Sequence, residues 1–145
     1  MSFFQDQKGI SDQMMKVLFV CHGNICRSVM AEYICKKMRP DLYCESAAVS
    51  YEEEGNDIYP RAKRCLDAHG IPYGRHRARR IEKEDYERFD KIYVMDSYNI
   101  RNILRILDDP EHKISKLCPY DIEDPWYTDN FEKVFRQIEE GIRRL

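Results

Sequence analysis

The segment CHGNICRS, over residues 21–28, brings a thiol, a guanidinium and several small residues together in eight positions. Cys21 is a candidate nucleophile. Arg27 carries a planar fork of N–H donors that matches two oxygens of a tetrahedral dianion. Gly23 allows backbone shapes that other residues resist. Holding an anion and aiming a nucleophile at its centre are the two requirements for displacing a phosphoryl group through a covalent cysteinyl-phosphate.

The elements on either side of this segment explain how it could bind an anion. The continuous apolar run Lys16–Val20 predicts a strand buried on both faces, and Ser28–Arg39 predicts a helix with one apolar face. A loop between them turns unpaired backbone N–H groups inward, where the helix dipole adds positive potential. The same field, together with Arg27, favours the thiolate form of Cys21. We expect no metal or other cofactor in this reaction, because the amides and Arg27 neutralise the transferring group.

Strands and helices alternate along the rest of the chain. The predicted elements are strands over Leu42–Val49, Lys91–Met95 and Ile114–Cys118, and helices over Pro60–Gly70, over Glu82–Arg88, after a cap at Ser97 and after a cap at Asp129. The helix after Ser97 has an apolar stripe of Ile100, Ile103, Leu104 and Leu107, and residues 119–130 are predicted as a loop. This alternation predicts an α/β three-layer sandwich, with a central four-stranded parallel sheet flanked by helices. Ligands of such sheets bind at the carboxyl ends of the strands, where Cys21 stands.

Bulk properties bound the class of protein. The chain of 145 residues suits one domain, predicted over residues 16–145 after a loosely ordered extension over residues 1–15. The net charge of -2 gives no reason to expect nucleic acid or a membrane as a partner. The six cysteines contain no C-x-x-C pair and the four histidines are scattered, so neither a disulfide scaffold nor a zinc site is predicted. The N-terminal residues lack the pattern of a signal peptide, which makes the cytoplasm the expected compartment.

Residues 20–28 resemble the phosphate-binding loop of the low-molecular-weight protein tyrosine phosphatases. The resemblance covers nearly the whole chain after Met15. It includes, in the family's order and spacing, the motifs ESAAVS (45–50), HGIP (69–72), MD (95–96) and EDPWY (123–127). It implies hydrolysis of phosphotyrosine in proteins, with Cys21 as nucleophile, Arg27 as phosphate ligand and Asp124 as general acid and base. Bacterial relatives often oppose a resident tyrosine kinase, which makes such a kinase a candidate partner.

The resemblance also implies roles for supporting residues. Asn24 matches the residue that holds the loop's unusual backbone, and Ser28 matches the hydroxyl that donates to the thiolate. Ser46 and His76 match residues that brace the loop through Asn24, and those that match pocket walls are Glu52, Trp126 and Tyr127. Asp96 either has a bracing role too or simply lies near the start of the next helix. The whole loop, His22, Ile25 and Cys26 included, would hold phosphate or another oxyanion. Cys26 matches a cysteine that forms a reversible disulfide with Cys21 under oxidation and so protects the nucleophile. The alternative for Cys26 is a buried packing residue.

Two residues in or next to the segment 21–28 depart from the family pattern. His22 stands where the family generally carries an apolar or small residue, and its ring could add charge near a pH of about 6–7. Val29 replaces the proline that normally follows the serine. The acidic run of residues 52–54 predicts that the pocket disfavours acidic peptides around the target tyrosine.

Three other functions share some of these features. Thioredoxin-coupled arsenate reductases need further cysteines at close spacing, whereas Cys65 and Cys118 are far apart in the sequence. Protein-arginine phosphatases tend to have threonine where this chain has Ile25, whose bulk suits a flat phenyl ring. A phosphotyrosine-binding module without catalysis would be expected to lose Cys21, Arg27 or Asp124, and all three are present.

Overall fold

A computed structural model describes residues 14–145, so the predicted loose extension lies almost wholly outside the described residues. Met15, the last residue of the predicted extension, is the first residue of the first strand. The described residues form β1 (Met15–Cys21), α1 (Arg27–Met38), β2 (Leu42–Ala48), α2 (Pro60–Ala68), α3 (Lys83–Arg88), β3 (Lys91–Val94), α4 (Ser97–Ile103), β4 (Ile114–Lys116), α5 (Pro125–Thr128) and α6 (Phe131–Arg143). Each predicted strand and helix is present, with ends that differ by a few residues.

The four strands form one parallel sheet in the order β2-β1-β3-β4. Because β1 lies at the centre, the chain turns to one side after it, through α1 to β2, and to the other side to reach β3. This reversal opens a crevice at the carboxyl end of β1, between the two crossovers. Cys21 is the last residue of β1 and pairs with Ala48, the last residue of β2. The sheet therefore places the thiol at the edge where the sequence predicted a ligand site.

Helices cover both faces of the sheet and bury two apolar clusters. On one face, α1, α2 and α6 pack against the side chains of β1 that include Val17 and Phe19. On the other face, Leu18 and Val20 pack with residues of α3, of α4 and of the segments after them. The alternation of buried side chains along β1 confirms the predicted three-layer α/β sandwich. Among residues 14–145, no helix combines the length and the apolar character that crossing a membrane requires.

The start of α4 differs from the prediction by one residue. Asp96, not Ser97, caps the helix, because its Oδ1 accepts the backbone N–H of Asn99 at 2.8 Å while Asn99 Oδ1 accepts the N–H of Asp96 at 3.2 Å. Ser97 is already helical and binds Asp121 instead. The helix ends at Ile103, so Leu104 lies outside it and is 48% exposed instead of completing the apolar stripe.

The predicted loop over residues 119–130 contains the short helix α5. Pro125 begins it, since its fixed φ suits a first helical position. Asp129 does not cap the last helix as predicted: it ends α5 in a left-handed conformation with φ 62°, and Asn130 is the residue that precedes α6. The turn of helix matters for the site because it orients the residue that caps it, Asp124.

Candidate active site

The loop between β1 and α1 surrounds the sulfur of Cys21 with hydrogen-bond donors. The backbone N–H groups of Asn24 and Ser28 point at Sγ over 3.3 and 3.4 Å. The Ser28 hydroxyl lies 3.1 Å from the same sulfur. Because Asn24 Nδ2 donates to that hydroxyl oxygen at 2.8 Å, the hydroxyl proton is free to point at Cys21. Three donors thus converge on one sulfur atom and stabilise negative charge there.

Asn24 holds the loop in shape. Its backbone is left-handed, with φ 63°, a conformation that asparagine tolerates better than most side chains. Its fully buried amide donates to Ser28 and to Ser46 Oγ, the latter at 2.9 Å, and accepts the N–H of Arg79 at 3.2 Å. The ring of His76 meets the Asn24 carbonyl oxygen at 2.7 Å. The predicted braces Ser46 and His76 therefore both act on one residue of the loop.

Glu32 is a supporting residue that the sequence analysis missed. It lies on α1, one turn after Ser28, and its Oε1 accepts the hydroxyl proton of Ser46 at 2.5 Å. Its other carboxylate oxygen accepts from Lys36 Nζ at 2.6 Å. The Glu32 carboxylate therefore orients Ser46, which in turn receives the Asn24 amide. The sequence did offer a signal for this role, because Glu32 follows Ser28 by four residues and so lies on the same buried face of α1.

Arg27 is buried, with only 2% of its side chain exposed, and is held by fixed partners. Nη1 donates to Asp96 Oδ2 and to the Ile122 carbonyl oxygen, each at 2.7 Å. Burial opposes its charge, but Cys21, Asp124 and Asp96 outweigh that effect and raise the pKa of Arg27 above its ordinary value. The guanidinium is therefore a permanent cation beside the thiol. Asp96, predicted as a brace, contacts Arg27 directly.

Asp124 faces this cation from the other side of the pocket. Its Oδ1 caps α5 by accepting the N–H of Trp126 at 3.0 Å, and its Oδ2 lies 3.6 Å from Arg27 Nη2. The neighbouring Glu123, which the sequence analysis did not single out, ties this segment to α6. It accepts from Asn130 Nδ2 at 2.9 Å and from Lys133 Nζ at 2.8 Å. Chiefly because of Lys133, the pKa of Glu123 is lowered to about 2.

A pocket opens above the loop. Residues 21–27 form its floor, and its walls are Glu52, Glu53, Asp124, Trp126 and Tyr127. Trp126 packs on the ring of Tyr59, with 4.6 Å between the ring centroids, and is still 48% exposed, while Tyr127 is 83% exposed. The predicted walls Glu52, Trp126 and Tyr127 all line the pocket, and of the rest of the acidic run Glu53 lines it whereas Glu54 does not.

Two side chains that line the pocket contact each other. His22 Nε2 lies 3.1 Å from Glu52 Oε2, so the unusual histidine has an acidic partner on a pocket wall. Gly23 lies under Glu53: a Cβ atom at Gly23 would stand 3.2 Å from Glu53 Cγ. The glycine therefore lets the acidic wall approach the loop closely.

Cys26 and Cys21 line the same pocket, and both thiols are free. Cys26 is buried, and burial followed by the charge on Cys21 raises the pKa of its thiol far above the ordinary range. The Cys26 thiol therefore stays protonated, which makes its sulfur a poor nucleophile.

The geometry agrees with comparisons to known proteins. A sequence model described as low molecular weight phosphotyrosine protein phosphatase matches residues 16–145. The human protein of that name is 41% identical over 138 residues, which cover 83% of this chain and 87% of the human protein. The chain belongs to the low molecular weight phosphotyrosine protein phosphatase family. It is an enzyme of this type, like its named relatives.

Solved structures of other members of the family show the same fold. The low molecular weight protein tyrosine phosphatase of Streptococcus pyogenes has a TM-score of 0.85 and 34% identity, over 90% of each chain. A protein tyrosine phosphatase of Entamoeba histolytica, described with Hepes in its active site, has a TM-score of 0.79 and 29% identity, over 88% of this chain and 92% of that one. The three-layer sandwich of this phosphatase is therefore the fold of its family.

Proposed function

We propose that this phosphatase hydrolyses phosphotyrosine in proteins through a covalent cysteinyl-phosphate on Cys21. The sulfur attacks phosphorus while the bond from phosphorus to the phenolic oxygen breaks, and Asp124 gives its proton to that oxygen. A water molecule then loses a proton to Asp124 and attacks phosphorus. The S–P bond breaks, which releases inorganic phosphate and restores the thiolate.

The observation that carries this proposal is the position of the two reacting groups around one cation. Donors from the loop converge on Cys21, and the carboxylate of Asp124 stands 3.6 Å from Arg27 Nη2, the guanidinium nitrogen that does not bind Asp96. A phosphoryl group bound to Arg27 would therefore lie between the nucleophile and the acid, which is the arrangement that in-line displacement needs. The Hepes described in the active site of the Entamoeba relative carries a tetrahedral sulfonate, which supports oxyanion binding in this loop.

The walls of the pocket favour an aromatic phosphate ester. Trp126 and Tyr127 line the pocket with exposed aromatic side chains, on which a phenyl ring can stack. Ile25 fills the floor with a branched apolar side chain, which leaves less room for a guanidinium than threonine would. The acidic walls Glu52 and Glu53 would repel acidic residues beside the target tyrosine. We therefore favour phosphotyrosine over phosphoarginine, in peptides without acidic neighbours; a tyrosine kinase is a candidate substrate.

The positions of the two later cysteines do not favour the arsenate reductase alternative. Cys65 Sγ contacts the carbonyl oxygen of Phe131, and Cys118 Sγ contacts that of Gln137. These two carbonyl groups are six residues apart on α6, which is a rise of about 9 Å along the helix. Cysteines at such separate points cannot exchange a disulfide without a large rearrangement.

Oxidation is the expected mode of control at the site. Cys21 and Cys26 line one pocket, and the proposed reversible disulfide between them would remove the nucleophile while preventing its further oxidation. We place the reaction in the cytoplasm, where thiol reductants would reduce such a disulfide back to two thiols. Replacement of Cys26 by serine is expected to leave turnover intact and to make peroxide inactivation irreversible by dithiothreitol.

The decisive experiment compares a phosphotyrosine peptide with a phosphoarginine peptide. Cys21→Ser should abolish turnover of the tyrosine peptide while phosphate still binds. Asp124→Asn should slow turnover about 10²–10⁴-fold for a poor leaving group and far less for p-nitrophenyl phosphate. Cys118→Ser, a buried thiol outside the pocket, is the matched control and should stay active. Preference for phosphoarginine would refute the inference from Ile25, and no turnover of either peptide would refute the proposed reaction.

A further inference from the structure

A second cluster of ionisable groups lies away from the phosphatase pocket, where α2 meets α6. Cys65 is on the last turn of α2, and His69, four residues later, follows directly after that helix on the same face. Glu132 is on the first turn of α6. Their thiol, imidazole and carboxylate atoms all lie within 4.8 Å of one another. None of these three residues lines the phosphatase pocket.

The individual distances describe a convergent set of atoms. His69 Nε2 lies 2.9 Å from Glu132 Oε1 and 2.7 Å from Oε2. Cys65 Sγ lies 4.0 Å from Glu132 Oε1 and 3.7 Å from the Phe131 carbonyl oxygen, both long contacts for a thiol. A simple ion pair between His69 and Glu132 gives no reason for the sulfur to point at the same carboxylate.

The ring of His69 is held in place. It stacks on Phe135, with ring centroids 3.8 Å apart and planes 10° from parallel. The stacking fixes the direction in which Nε2 points, and the Cys65 thiol is fixed by burial at 6% exposure. Glu132, whose side chain is 56% exposed against 29% for His69, is the ligand most able to adjust. Two restrained ligands and one adjustable carboxylate suit metal binding, because little side-chain conformational entropy is lost when the metal binds.

We propose that Cys65, His69 and Glu132 form a binding site for Zn²⁺. Thiolate, imidazole and carboxylate are the three ligand types that zinc takes in proteins, at about 2.0–2.3 Å from the metal. Ligand atoms at such distances stand roughly 3–4 Å apart, which small side-chain shifts would reach from the present separations. With three protein ligands, the fourth position would hold water. Cys65 and Glu132 border an open groove that Arg64 and Phe131 also line, which gives water access to them.

Binding requires the release of a proton from the cluster. Burial, followed by the charge on Glu132, raises the pKa of the Cys65 thiol to about 11. Zn²⁺ would replace that proton, forming the Zn–S bond as the S–H bond breaks, with the proton going to solvent. Cationic neighbours oppose the metal: Arg136 Nη1 lies 3.6 Å from Glu132 Oε2, and Arg64 lines the groove. We therefore expect moderate affinity.

The sequence does not reveal this cluster. The two ligands on α2 have a C-x₃-H spacing, which is not a recurrent zinc signature, and the third ligand comes from α6, 63 residues after His69. The absence of a familiar spacing argued against zinc, but packing of α2 on α6 assembles the set. The expectation of no metal in the phosphatase reaction is unaffected, because the two sites share no residue.

Cobalt provides the direct test, because Co²⁺ bound to a thiolate shows a charge-transfer band in the near ultraviolet. The full chain is titrated with Co²⁺ under a non-chelating reductant, as wild type and with Cys21→Ser, Cys65→Ser, His69→Gln or Cys118→Ser. The site predicts a band with one-to-one saturation that Zn²⁺ displaces. The band should be retained by Cys21→Ser and Cys118→Ser, lost with Cys65→Ser, and weakened at least tenfold in affinity by His69→Gln.

Two results of the cobalt titration would contradict a site at Cys65. No band in the wild type, or a band that survives Cys65→Ser and is lost with Cys21→Ser, would overturn the proposal. Thermal unfolding with excess Zn²⁺ provides a second readout: a 100-fold excess over the dissociation constant should raise Tm by roughly 5–10 °C. His69→Gln, at an exposed position, should cut that rise to about half or less at the same Zn²⁺ concentration, even if Cys65→Ser folds poorly. An equal rise in His69→Gln would refute the site.

Discussion

Replacement of Ser46 by alanine tests whether the chain of contacts behind the phosphate-binding loop is structural support. Ser46 Oγ donates to the Glu32 carboxylate at 2.5 Å and accepts from Asn24 Nδ2 at 2.9 Å. Alanine removes both hydrogen bonds in a buried place where water does not readily replace them. It leaves the carboxylate with Lys36 as its side-chain partner and leaves one amide proton of Asn24 unpaired.

The two lost contacts differ in strength. A hydrogen bond to a charged acceptor contributes about 1.5–3 kcal/mol, and one between neutral groups about 0.5–1.5 kcal/mol. The free energy of unfolding should therefore fall by about 2–4 kcal/mol. Asn24 keeps its bond to Ser28, so the loop retains its shape but is less firmly held. We expect kcat/KM to fall about tenfold, which corresponds to about 1.4 kcal/mol of transition-state stabilisation.

Urea unfolding followed by circular dichroism measures the first quantity, and steady-state hydrolysis of p-nitrophenyl phosphate measures the second. Ser115→Ala is the matched control, because Ser115 is an exposed strand serine in β4. It should change neither quantity appreciably. If Ser46→Ala lowers stability by less than about 0.5 kcal/mol, or lowers stability while kcat/KM stays at the wild-type value, the supporting role of this contact chain is refuted.

Two further substitutions test an ion pair beside Asp124 and the packing of α6. Glu123→Gln should lower the free energy of unfolding by about 1 kcal/mol at pH 7, after allowance for solvent screening of its contact with Lys133. Since the folded pKa of Glu123, about 2, lies below its ordinary value of 4.5, this contribution is present above pH 4.5 and disappears as the pH falls through 2. Urea midpoints at several pH values check this, and a difference that persists unchanged at pH 2 would contradict it. Gly141→Ala should destabilise by about 1–3 kcal/mol, because a Cβ there would stand 2.7 Å from Leu117 Cγ. Gly74→Ala, whose Cβ would meet only Tyr33 Oη at 3.8 Å, is the control, and equal Tm losses in the two variants would contradict the packing inference.

Much of the architecture follows from local patterns. A continuous apolar run predicted β1, the other three strands lie where the sequence placed them, and the strand-loop-helix order around residues 21–28 predicted a donor-lined loop. The errors lie at helix ends. Which of Asp96 and Ser97 caps α4 depends on a distant residue. The hydroxyl of Ser97 donates to Asp121, 24 residues later in the chain, and so does not cap the helix. The placement of Asp129 depends on α5, a single turn too short to show a periodicity.

Sequence alone predicted the proposed nucleophile and the loop of donors around it, because Cys21, Arg27 and the amides between them are neighbours along the chain. Local backbone geometry suffices to bring them together. The tertiary structure decided everything that acts on this loop from a distance. Asp124 faces Arg27, and Glu32 orients the serine behind Asn24, only because the sheet order and helix packing join segments that loops separate. The cluster at His69 has the same origin: no spacing encodes it, and the contact between α2 and α6 assembles it.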